Sequence, residues 1–222
     1  MALIKSIATV GGLTGVSRIL GLARDILIAQ AVGTGVVADA FFVAFRIPNL
    51  FRRMFAEGAF NAAFVPLFAR RLEQEGKDPA VAFAEEALAA LSFVLLVLTA
   101  IAIAAMPWLM HLLAPGFVSD AEKFDLTVEL TRITFPYLLF ISLTALLSGV
   151  LNSLYRFAAA AAAPVLLNLF FILALVLILP FTGDPGQVMA WTVAAAGVGQ
   201  FIFLLVACRR AGIVLALRRP RV

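Results

Sequence analysis

Four stretches of this chain contain no Asp, Glu, Lys or Arg and are apolar almost throughout: Ala87 to Met110, Ile133 to Tyr155, Phe157 to Phe181 and Gln187 to Cys208. About 20 apolar residues in a helix cross a bilayer core, so each stretch predicts a transmembrane helix. The 3.6-residue alternation is weak within them, as expected of helices apolar on every side. The first 70 residues differ. Apolar runs at 6–17 and 26–38 are separated by Arg18, Arg24 and Asp25, and the run from Ala38 to Ala69 carries Asp39, Arg46, Arg52, Arg53 and Glu57. These read as two further spans broken by the Gly33-Thr34-Gly35 turn. The pattern therefore predicts an all-α lobe over 1–217, with helices at about 7–32, 37–70, 85–112, 125–155, 157–182 and 187–210. The second is longer than a hydrocarbon core of ~30 Å requires, so it tilts, bends or projects, with Pro48 and Gly58 the natural places for a bend.

Composition agrees with this reading. Of the 222 residues, 64% are hydrophobic and 14% charged, with a mean hydropathy of +1.07; soluble domains hold about 45–50% apolar and about 25% charged residues. A water-soluble fold, a disordered chain and a disulfide framework are excluded, since there are 20 Phe and a single Cys. Cys208 lies in an apolar run and reads as packing. Charges at 18, 24 and 25 would interrupt the hydrophobic segment of a cleavable signal peptide, which argues against one.

The net charge of +4 is a matter of topology and not of nucleic-acid binding. With six spans, one side of the membrane receives Lys5, Arg70, Arg71, Lys77, Arg156, Arg209, Arg210, Arg218, Arg219 and Arg221, and the other only Lys123. The positive-inside rule then puts both termini in the cytoplasm. Trp108, His111 and Trp191 fall near outer span ends, where amphipathic rings favour the interface. The alanines from 158 to 163 read as a close helix-packing surface.

Ionisable groups at bilayer depth cost at least ~2.5–3.5 kcal/mol each and are tolerated where they pair or face a cavity. At 100° per residue Arg18 and Asp25 share a stripe of the first helix, with Arg24 a third of a turn away; Asp39, Arg46, Arg53 and Glu57 share a face of the second, bordered by Arg52. Five arginines against Asp25, Asp39 and Glu57 leave a surplus of +2, which suits a diphosphate or another anion, and a guanidinium fork matches phosphate oxygens. Internal ion pairing is the competing account, but one-to-one pairing uses three of the five. A single His, no phosphate loop and no nucleophile–base pair argue against an enzyme, a metal site or a cofactor.

The segments Ser17-Arg18-Ile19-Leu20-Gly21-Leu22-Ala23-Arg24-Asp25, 38–50 (ADAFFVAFRIPNL) and 52–60 (RRMFAEGAF), with Ala63-Phe64-Val65-Pro66, Ala114-Pro115-Gly116-Phe117, Thr134-Phe135-Pro136-Tyr137, Leu151-Asn152 and Arg156-Phe157, resemble the MurJ (MviN) family of lipid II flippases. The resemblance covers essentially the whole chain. It implies one six-helix lobe of a two-lobed exporter of the multidrug/oligosaccharidyl-lipid/polysaccharide superfamily. It also implies a cargo, lipid II (the undecaprenyl-diphosphate-linked disaccharide peptide), moved from the inner to the outer leaflet of the bacterial cytoplasmic membrane by alternating access, without ATP hydrolysis. Cavity roles are implied for Arg18, Arg24, Arg52 and Asp39; Arg46 stands where the family often has Lys. Arg18, Arg24, Arg46, Asn49, Arg52 and Arg53 are the expected substrate-binding residues, and Asp25, Asp39 and Glu57 the expected gating or ion-pair residues. Residues 218–222 resemble the start of a basic linker to a second lobe, so the chain reads as a fragment inactive alone, whose partners are that lobe, lipid II and membrane lipids. An exporter of the same fold for another polyprenyl-diphosphate glycan or an amphipathic drug, and a non-transporting scaffold, are the alternatives.

Overall fold

The computed structural model describes residues 2–56 and 59–216, with side chains from Ala8 to Leu50 and from Ala62 to Ala216. Among the described residues ten α-helices follow one another: α1 (Ala2–Val32), α2 (Val36–Ala56), α3 (Ala59–Gln74), α4 (Lys77–Ala104), α5 (Met106–Leu113), α6 (Ala121–Thr134), α7 (Tyr137–Ser153), α8 (Phe157–Leu173), α9 (Leu179–Thr182) and α10 (Pro185–Arg210). A 3-10 turn occupies Pro115–Phe117, and a π-helical stretch, Ala174–Ile178, joins α8 to α9. No strand occurs among the described residues. The runs Lys77–Ala104, Ala121–Ser153, Phe157–Thr182 and Pro185–Arg210 are long and apolar enough to cross a membrane. The charge-bearing α1 and α2 are not in that set.

Three expected spans are interrupted among the described residues, and proline accounts for each. The span expected at 85–112 is α4 and α5, parted at Ala105; Pro107 in the first turn of α5 has no N–H for the Ile103 carbonyl, to which Arg132 Nε donates instead at 3.2 Å. The span expected at 125–155 is α6 and α7, parted at Phe135-Pro136. In the span expected at 157–182 the ladder slips by one residue ahead of Pro180, where the Leu179 N–H reaches back five residues to the Ala174 carbonyl. The span expected at 37–70 is α2 and α3. Glu57 and Gly58, between them, lie outside the described residues, and Pro48 stays within α2.

Helix starts follow ordinary capping chemistry. Asp120 accepts from the Lys123 N–H at 3.1 Å to open α6, and Asp184 from the Gln187 N–H at 3.0 Å to open α10, where Pro185 takes the first position.

The central element is α7. It packs against α10, α2, α3, α4 and α8, and most of its residues from Tyr137 to Leu151 are buried. Small residues on α10 permit its close approach to α7 and to α8. A Cβ at Gly197 would lie 2.8 Å from Tyr137 Cδ2, and one at Gly199 2.7 Å from Phe170 Cζ. Between helices in lipid there is little hydrophobic drive, so close van der Waals packing of this kind carries association. One apolar cluster joins α3, α4, α7 and α10 with Ile213 and Leu215 of the chain beyond α10. A second gathers Phe41, Tyr137, Phe171 and Met189 from α2, α7, α8 and α10, and the site described next lies beside it.

Candidate functional site

A cavity of about 590 Å³ opens between α1, α2, α7, α8 and α10. On α7 its lining follows one face, through Tyr137, Ile141, Thr144, Ser148 and Asn152, a run of about 22 Å at 1.5 Å per residue. Ser17, Gly21 and Arg24 face it from α1, Phe45 and Asn49 from α2, Pro164 and Asn168 from α8, and Gln200 from α10. In a chain this apolar, such a concentration of hydroxyls, amides and one guanidinium is the polar anomaly that marks a site.

Arg24 is the charged member, and three groups hold it. Its Nε and Nη2 donate to one Asp25 carboxylate oxygen at 3.0 and 2.7 Å, and its Nη1 donates to Asn168 Oδ1 at 3.0 Å. The guanidinium carbon sits 5.7 Å from the centre of the Phe171 ring. Asn168 is itself buried, and its Nδ2 donates to the Ser17 carbonyl at 2.9 Å. That arrangement fixes which way the amide points: a guanidinium only donates and a carbonyl only accepts. Asn168 thereby ties α8 to α1 and aims the Arg24 fork. A guanidinium has five N–H groups, and the three bonds to Asp25 and Asn168 leave two for an anion. Asp25 is 63% exposed against 21% for Arg24, so the carboxylate sits on the open side.

The other expected residues are placed differently. Arg18 is exposed on α1 and Arg46 on α2, and neither makes an ion pair or hydrogen bond with a described residue. Asp39 and Arg46 lie on one exposed stripe of α2 with Phe42 and Leu50, while Ala40, Phe41, Ala44 and Ile47 turn inward. Asn49 lines the cavity; Arg46 does not. Asp39 pairs with Lys123, whose ammonium also sits 4.2 Å from the centre of the Phe117 ring. The side chains of Arg52 and Arg53, and Glu57 as a whole, lie outside the described residues. His111 keeps to its own helix, its Nδ1–H donating to the Pro107 carbonyl at 2.8 Å. Cys208 is buried in packing, its Sγ 3.9 Å from the Leu147 carbonyl.

Comparison with known proteins identifies this arrangement of helices. The family model described as lipid II flippase MurJ matches residues 28–221. The chain belongs to the MurJ family. A probable lipid II flippase MurJ of Rhizobium tropici is 53% identical, the match covering 100% of this chain and 42% of that protein. The lipid II flippase MurJ of Burkholderia cenocepacia is 46% identical over 96% of this chain and 42% of its own length. A solved structure of lipid II flippase MurJ in an inward closed conformation has the same fold, with a TM-score of 0.68 at 23% identity over 95% of this chain and 43% of that one. The chain thus spans about two fifths of the MurJ relatives it matches.

Asn168 and Gln200 carry no formal charge and so stand outside the pattern of ionisable residues in the sequence. Each is an amide inside a charge-free apolar run, Leu166-Leu167-Asn168-Leu169-Phe170 and Gly199-Gln200-Phe201. That isolation was the available signal, because a lone amide at bilayer depth needs a partner.

Proposed function

We propose that the chain is one lobe of a lipid II flippase of the bacterial cytoplasmic membrane, with six spans and both termini in the cytoplasm. The remaining length of its relatives would supply the second lobe, and the two together would carry the undecaprenyl-diphosphate headgroup across by alternating access. The observation that carries the reading is Arg24, a guanidinium with two N–H groups to spare on the wall of a polar cavity within an apolar helical bundle.

The chemistry follows from charge. A diphosphate crossing a low-dielectric core needs its hydration replaced. Arg24 offers a planar fork for phosphate oxygens, and its exposed partner Asp25 is a carboxylate that an incoming anion displaces from that fork. Arg18 and Arg46 add positive charge on the exposed faces of α1 and α2, the faces available to a second lobe. Arg52 and Arg53 continue the sequence pattern. Membrane potential is a suitable drive for a charged cargo, worth ~2.3 kcal/mol per charge per 100 mV.

The test uses the full-length protein in proteoliposomes with fluorescent lipid II. Arg24→Ala and Arg18→Ala should each reduce transbilayer movement to the protein-free rate, with insertion intact. Transport at the wild-type rate in both variants would end the proposal.

A further inference from the structure

The cavity has a second polar wall that the anion reading leaves unused. Gln200 is 2% exposed and lines the cavity from α10. Its Nε2 donates to the Ala163 carbonyl at 2.7 Å, while its Oε1 is buried with no hydrogen-bond partner among the described residues. The amide cannot be turned round to relieve this, because the Ala163 oxygen only accepts. Leaving a buried acceptor empty is costly, so the orphaned oxygen calls for a donor arriving from outside the chain.

Its surroundings present further acceptors. Pro164 lacks the N–H that would serve the Ala160 carbonyl, and both residues line the same cavity. Ser148 and Asn152 of α7 and Asn49 of α2 also line it, and their side chains hydrogen bond to no described residue. This wall is distinct in position as well as in chemistry: Ala163, which holds Gln200, precedes Asn168, which holds Arg24, by about 7.5 Å of helix rise. One end of the cavity is thus a cationic donor, and the other is neutral and rich in acceptors.

We propose that Gln200, with Ser148 and Asn152, forms a second subsite that takes the hydroxyl and amide N–H groups of the cargo's sugar portion, while Arg24 takes its diphosphate. The proposal rests on the flippase reading above and adds the part of the cargo that contacts α7 and α10. The volume is appropriate, since about 300–1,000 Å³ accommodates a ligand of drug size, well beyond a diphosphate alone. Neutral acceptors also suit release: a sugar hydroxyl held by an amide oxygen leaves without separating charges.

The experiment compares two ligands on full-length protein in nanodiscs: lipid II, and undecaprenyl diphosphate, which has the same anion and no sugar. Gln200→Leu should weaken lipid II binding about fivefold to tenfold, the loss of one or two hydrogen bonds, and leave undecaprenyl diphosphate binding unchanged. Ser148→Ala, which leaves the Gln200–Ala163 bond in place, should act in the same direction, more weakly. Arg24→Ala should weaken both ligands. Equal weakening of both ligands by Gln200→Leu would mean a change of cavity shape and would overturn the subsite. So would unchanged lipid II binding in Gln200→Leu and Ser148→Ala, the result expected if water or a sodium ion fills the acceptors. Wild-type protein that binds both ligands equally would overturn the subsite and leave the anion site standing. Wild-type protein that binds neither would overturn the flippase reading and the subsite with it.

Discussion

Helices α1 and α7 are both rich in apolar residues, yet they are used in opposite ways. α7 packs against α2, α3, α4, α8 and α10, and its polar positions, among them Ser142, Thr144, Ser148 and Asn152, are neutral. α1 packs chiefly against α8 and leaves Ile19 70% and Leu22 64% exposed, along with Arg18 and Asp25. Thr144 is buried and satisfied on its own helix, donating to the Phe140 carbonyl at 2.7 Å, whereas Ser148 and Asn152 face the cavity. Full charges are placed where packing stops. A guanidinium in a sealed seam would need a dedicated counter-ion and would be lost to a passing ligand, whereas on α1 it stays available. The lesson is that the two helices divide labour by charge: α7 holds the lobe together and offers the cavity only neutral groups, and α1 offers it the guanidinium.

Substitutions at the two helices should separate these roles, and the largest effect is expected at Arg24. Arg24→Ala abolishes lipid II movement in proteoliposomes while melting within a few degrees of wild type. Arg24→Lys keeps the charge and loses the fork, so it retains partial transport. Next comes the α7–α10 seam. Gly197→Leu drives a side chain into Tyr137 and Phe140, and overpacking of that kind costs roughly 1–3 kcal/mol or more. The expected result is a lowered melting temperature and reduced yield of folded protein in detergent. If Gly197→Leu spared stability and removed only transport, the division between the helices would be wrong.

A smaller effect is expected at Asn168, which belongs to both regions because it ties α8 to α1. Asn168→Leu removes the acceptor that aims Arg24 and the donor that meets Ser17. Hydrogen bonds to charged groups contribute about 1.5–3 kcal/mol, so lipid II affinity should fall about tenfold, with undecaprenyl diphosphate weakened alike. Asn168→Gln, which keeps an acceptor for Arg24 and a donor for Ser17 on a longer arm, should recover part of that binding. Failure of this rescue would mean that Asn168 serves only to pack α8 against α1.

How much of this was legible beforehand depends on what each residue contributes to a pattern. The apolar runs announced α7, α8 and α10 because bilayer solvation demands uninterrupted hydrophobicity over a whole span. They misjudged starts. α4 begins at Lys77 and α6 at Ala121, before the charge-free runs, because Asp78 and Glu122 suit the first turn of a helix and Glu85, Glu86 and Lys123 are good helix formers outside the apolar stretch. The breaks at Ala105 and Phe135 were written in Pro107 and Pro136, whose effect depends on whether a neighbour such as Arg132 takes up the freed carbonyl. Spacing by seven did set Asp39 and Arg46 on one stripe of α2. Which way that stripe faces was decided by the packing of Ala40, Phe41 and Ala44, a tertiary fact no spacing contains. Arg24 was visible as a charge. Asn168 and Gln200 were visible only as single amides among leucines and phenylalanines, and what separates them is the partner each found.

The smallest effect is expected at the pair that sits apart from both helices' work. Asp39 opens α2 and is held by Lys123 of α6, with the carboxylate 55% exposed and the lysine 19%. An ion pair this open contributes about 0–1 kcal/mol, and the lysine retains its contact with Phe117 when the carboxylate is gone. Asp39→Asn and Lys123→Ala should therefore each shift the melting temperature of the full-length protein slightly, and the double variant should shift it by little more than the larger single one. Transport separates the stabilising role of this pair from the cavity role that family resemblance implies for Asp39. If the carboxylate acts only through Lys123, Lys123→Ala reproduces whatever transport defect Asp39→Asn shows. A defect in Asp39→Asn that Lys123→Ala lacks would place Asp39 with Arg18 and Arg46, among the charges that α1 and α2 hold open for a partner beyond this lobe.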